Sequence, residues 1–71
     1  MPTIDMPRTG ANIRSMRDKN HMTVNDVASI CGISKTAVCK WQAGTAIPSI
    51  DNLVILSSIW NIPIDSIIVR K

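Results

Sequence analysis

Apolar residues recur along this chain at three- and four-residue steps in several short runs, each ended by Gly, Asn or Pro. That rhythm predicts helices and no strands. Pro2 and Pro7 mark residues 1–7 as an extended arm. Ile13, Met16 and Arg17 then fall at helical spacing, so a first helix is expected from Thr9 or Gly10, with Thr9 as candidate cap, to Lys19. Asn20-His21 ends it. Thr23 with Asp26 three residues on is a capping-box arrangement for a short helix over 24–31, which Gly32 stops. Ser34 caps a third helix, 34–43, closed by Gly44; its inward face is Ala37, Val38 and Trp41. Ser49 caps a fourth helix that runs to Trp60, with Asp51 in its first turn. Beyond Asn61-Ile62-Pro63, Ile64–Val69 is expected as a short fifth helix.

Length sharpens this picture to one domain: 71 residues divide into the arm 1–7, a helical domain over 8–69 and a basic end, 70–71. The chain is 45% hydrophobic, almost wholly aliphatic, with two Trp and no Phe or Tyr, which suits a small all-α core. A net charge of +3 favours acidic partners only mildly. Cys31 and Cys39 are too few for a disulfide framework and lack metal-ligand spacing, so neither metal nor cofactor is expected. Leu53–Leu56, the longest purely apolar run, is far too short to span a membrane, and residues 1–7 do not read as a signal peptide. The expectation is a soluble cytoplasmic domain with reduced thiols. Enzyme chemistry lacks parts: there are five scattered Asp, one His, no Glu and no Gly-rich phosphate loop, and Ser34 has no neighbouring base.

Thr23–Gly44 carries the most information. Two short helices joined by a tight turn must pack steeply, and three needs of that geometry are met. Ala28 is small where the helices come closest, Gly32 tolerates positive φ at the turn, and Val38 with Trp41 forms the ridge that rests on the first helix. Val27, Cys31 and Ile33 complete the apolar pattern, so 23–43 reads as a helix-turn-helix. Thr23–Gly44 with Ile47-Pro48-Ser49-Ile50-Asp51-Asn52-Leu53 resembles the lambda repressor/Cro-like (XRE) family of regulators, over roughly residues 8–69. The resemblance implies a compact five-helix lambda-repressor-like domain that binds operator double-stranded DNA, usually as a homodimer, and regulates transcription, here as a repressor in a prokaryotic or phage setting.

Carried over by position, the base-contacting residues would be Lys35, Thr36, Cys39 and Lys40 on the outward face of the third helix. Lysine donates to guanine O6 and N7, and threonine bonds a base or packs its methyl on thymine. The phosphate-contacting set is Arg17, Asn25, Ser34 and Thr45; the family often places a glutamine where this chain has Val24, so that anchor is missing or is replaced by Asn25 or a backbone N–H. Gln42 replaces a common glutamate partner of the helix 1 arginine, so Arg17 is expected to be less tightly oriented. Cys39 reads equally as a thymine-methyl contact and as a neutral spacer, while Cys31 and Trp41 read as core and His21 as surface.

The C-terminal third has more apolar residues than a small core needs. A leftover patch of Ile59, Ile64, Ile67 and Ile68 is expected to form a dimer interface. Two alternatives stay open: an antitoxin-type autorepressor that grips a small protein partner with that patch, and a protein-interaction module on the same scaffold.

Overall fold

In a computed structural model of the chain, which describes residues 3–71, four α-helices are followed by one 3-10 turn. Met1 and Pro2 of the expected arm lie outside the described residues. The helices are α1 (Met6–Lys19), α2 (Val24–Cys31), α3 (Lys35–Ala43) and α4 (Ile50–Trp60), and the turn is Ile64–Ser66. Local chemistry explains most of these limits. Thr23, Ser34 and Ser49 each accept the backbone N–H three residues on, while Gly32 (φ 68°), Gly44 (φ 79°) and Asn61 (φ 53°) end their helices in the left-handed region.

Helix α1 starts earlier than its pattern predicts. Asp5 is its cap, accepting Arg8 N–H at 3.0 Å, and Pro7 occupies the first turn, where a missing N–H costs nothing. Thr9 is not a cap: it is 2% exposed inside the helix, and its hydroxyl accepts Val69 N–H at 3.0 Å.

That bond helps explain why the fifth helix does not form. Asp5 N–H donates to the Val69 carbonyl (2.7 Å), Lys71 N–H donates to the Thr3 carbonyl (2.9 Å), and Ile4 and Arg70 form an antiparallel bridge. The chain after Ile68 is therefore drawn out straight against Thr3–Asp5, leaving Ile64–Ser66 as a single turn whose following backbone Asn12 ties down through Nδ2.

The core is Ile13, Val27, Ala28, Val38, Trp41, Leu53, Leu56, Trp60 and Ile67, drawn from all four helices and the tail. Ile67 is wholly buried, so it is a core residue and not part of a patch; Ile64 and Ile68 are half-buried against that core, and Ile59 alone of the expected patch is exposed. Most of the exposed apolar surface lies elsewhere, on the outer side of α4 and the loop before it, at Ile47, Ile50 and Val54, with Ile50 77% exposed; Ile30 of α2 is exposed as well. Among the described residues no helix is long and apolar enough to cross a membrane.

Candidate nucleic-acid interface

The turn between α2 and α3 is built by backbone bonds that its sequence makes cheap. Ile33 N–H returns to the Ala28 carbonyl at 3.0 Å and Gly32 N–H to that of Ser29 at 3.3 Å, closing α2 while Gly32 reverses the chain. Ser34 then starts α3 by accepting Ala37 N–H at 3.2 Å. Val38 and Trp41, at most 4% exposed, pin the inner face of α3, and Ala37 is half-buried beside them. The opposite face is left to solvent: Lys35, Thr36, Cys39 and Lys40 are all exposed. The structure thus brings the four sequence-assigned readers onto one surface, on a helix held rigidly from behind.

The flanking polar residues differ in how committed they are. Asn25, in the first turn of α2, is exposed and makes no side-chain bond among the described residues. The Ser34 oxygen is used as an acceptor, which leaves its proton to give. Thr45 is exposed, but its hydroxyl donates to the Lys40 carbonyl at 3.3 Å, so it serves the end of α3 first. Val24, where a side-chain amide was missed, packs against the core instead. Asp26 is the acid nearest this surface in sequence. Hydrogen bonds from the Thr23 backbone N–H (2.9 Å) and then its hydroxyl hold the Asp26 carboxyl below the usual range, so it remains charged as part of the cap. Burial pushes the half-buried Cys31 thiol up, which keeps it protonated and inert.

Arg17 is oriented far better than the sequence suggests. Its Nε donates to Gln42 Oε1 and its Nη1 to the Met22 carbonyl, both at 2.9 Å, with an Asp18 carboxylate oxygen 3.3 Å from Nη1; only 14% of the side chain is exposed. A glutamine oxygen accepts from a guanidinium as a carboxylate does, so the expected loosening does not occur. Through Arg17, α1 is bonded to the end of α3 and to the segment before α2.

Sequence reasoning passed over Gly10. A Cβ there would sit 2.0 Å from the Trp41 carbonyl oxygen and 2.9 Å from that of Gln42, so glycine lets the α1 backbone lie directly on the last turn of α3. The available signal was a glycine at the start of a helical pattern, read as a helix boundary when it is a packing position. Among the described residues, no three His, Cys, Asp or Glu side chains gather as a metal site.

The helix-turn-helix family model matches residues 13–67, more than half of the chain. Among solved structures, the restriction-modification controller protein C.AhdI from Aeromonas hydrophila is similar, with a TM-score of 0.78 at 19% identity, covering 89% of this chain and 96% of that one. At that identity the likeness concerns the fold. No curated protein matches the sequence.

Proposed function

The chain belongs to the helix-turn-helix family, in its lambda repressor/Cro-like (XRE) division of DNA-binding, non-enzymatic transcription regulators, and we propose that it is a sequence-specific repressor whose α3 enters the major groove of operator DNA. One observation carries this reading: Lys35, Thr36, Cys39 and Lys40 stand exposed together on the outward face of a helix whose other side is locked by Val38 and Trp41. Lys35, Thr36 and Lys40 read base edges by hydrogen bonds, and Cys39 contacts a thymine methyl. Ser34, Asn25, Thr45 and Arg17 hold the flanking phosphates, helped by the free N–H groups at the starts of α2 and α3. Similarity in fold to a restriction-modification controller supports a regulatory role in a prokaryotic or phage setting.

The repressor acts as a homodimer. Asp51 is the only charged residue on α4, whose exposed side otherwise shows Ile50, Val54, Ser58 and Ile59, so this face suits a second protein surface and not a phosphate backbone. Beside it lies a cavity of about 200 Å³ lined by Ile4, Ile47, Pro48, Ile50, Leu53 and Ile68, a socket for an apolar side chain of the second copy.

Selection of bound duplexes from a random pool tests the reading, and a two-fold symmetric site is expected. On that site Lys35→Ala and Thr36→Ala should each cost about 1–3 kcal/mol and relax the preference at one base pair. Equal, sequence-blind losses from both would overturn the base-reading assignment.

A further inference from the structure

Arg17 and Gln42 are bonded in a way that leaves two donors without a protein partner among the described residues. Gln42 Oε1 takes the Nε proton of Arg17, and Arg17 Nη1 is engaged by the Met22 carbonyl and lies against Asp18. Arg17 Nη2 and Gln42 Nε2 have no protein partner among the described residues, and neither atom is sealed from solvent.

The chemistry of the pair accounts for this. The Nε and Nη2 protons of a guanidinium lie along one edge and match two acceptors. A carboxylate takes both. A carboxamide has only one oxygen, and its other terminal atom is itself a donor, so Gln42 cannot satisfy Nη2. Two N–H donors on bonded groups, one of them cationic, are therefore left for an acceptor from outside the protein. Among the described residues Asp18, 60% exposed and set against Nη1, is the only carboxylate in contact with Arg17, and it leaves Nη2 open.

Position gives the acceptor its identity. Gln42 lies three residues beyond Cys39 and seven beyond Lys35, on the flank of α3 that borders its exposed face. We propose that Gln42 Nε2 and Arg17 Nη2 together bind a backbone phosphate of the DNA that α3 reads, which makes Gln42 a phosphate-binding residue in its own right. This rests on the assignment of α3 to DNA.

The experiment compares wild type, Gln42→Glu and Gln42→Met on the selected duplex and on an unrelated one. Glutamate keeps the tie to Arg17 and completes it, so the melting temperature should hold or rise. Duplex affinity should nevertheless fall about tenfold or more on both sequences. The log–log salt slope should become shallower by about one, because Arg17 is neutralised. Methionine adds no charge and keeps the length; it should bind both duplexes about fivefold more weakly while retaining the helical circular dichroism of wild type. In wild type, the Gln42 side-chain amide resonances should shift when duplex is added. Glutamate and wild-type proteins of equal affinity and slope, or amide resonances that stay still on a duplex that wild type binds, would overturn the pair and leave DNA reading intact. A wild-type protein that binds no duplex would remove both.

Discussion

Asp26 links cap chemistry to pH. Its carboxylate accepts Thr23 N–H at 2.9 Å while its own N–H is accepted by the Thr23 hydroxyl at 3.1 Å, so the charged form is favoured in the folded state. The folded pKa lies below the unfolded one, so the unfolded chain binds the proton more readily. Asp26 then stabilises the fold fully above the unfolded value, about 3.9, and loses that contribution as pH falls through the lower folded value. Urea midpoints of wild type and Asp26→Asn should differ at about pH 7 and converge as the pH falls below the unfolded carboxylate value; a constant gap would show that charge is irrelevant to the cap. This pairing was legible because it spans three residues. The Arg17–Gln42 bond spans 25 and the Thr9–Val69 bond 60, and no local pattern announces either. A polar side chain whose partner lies across the fold reads from sequence only as a polar side chain, so the pattern alone makes Gln42 a lost partner and Thr9 a cap.

At the scale of elements, α2, α3 and α4 are readable to within about a residue because caps and left-handed stops flank each of them. The beginning of α1 and the fate of the tail were not. Pro7 was compatible with both an arm and a first helical turn, and the choice is made by Asp5, which has two jobs: it caps α1 and its N–H pairs with the tail. Gly10 then decides how α1 lies on α3. Gly10→Ala would place a methyl 2.0 Å from a backbone oxygen in the last turn of α3, so the two helices must part. A loss of about 2 kcal/mol or more in urea unfolding is expected, with weaker duplex binding because α3 is displaced with its reading face. Wild-type stability in that variant would mean that the α1–α3 approach is looser than these distances require. The exposed faces of the helices were thus legible from periodicity, whereas the distance between two backbones was not.

At the scale of the whole molecule, the question is what covers α4. Sequence pattern correctly signalled an excess of aliphatic residues but misplaced it, because Ile67 is drawn into the core by the straightened tail and the surplus falls on Ile47, Ile50 and Val54. Ile50 and Val54 are one helical turn apart, at 77% and 50% exposure, so changing them leaves the core alone. A two-fold pairing of this face would set two α3 helices on one side of the DNA at a fixed spacing, which is what a symmetric operator requires. Sedimentation at tens of micromolar should therefore show a dimer for wild type and a monomer for Ile50→Lys/Val54→Glu, with similar melting of the two. The double variant should bind a single half-site as wild type does, yet lose about tenfold or more on the paired site, since the second contact no longer gains from being tethered to the first. A wild-type protein that stays monomeric with and without DNA would remove the dimer, and a stoichiometric complex with a small, different protein, abolished by the same two substitutions, would assign the face to that partner instead.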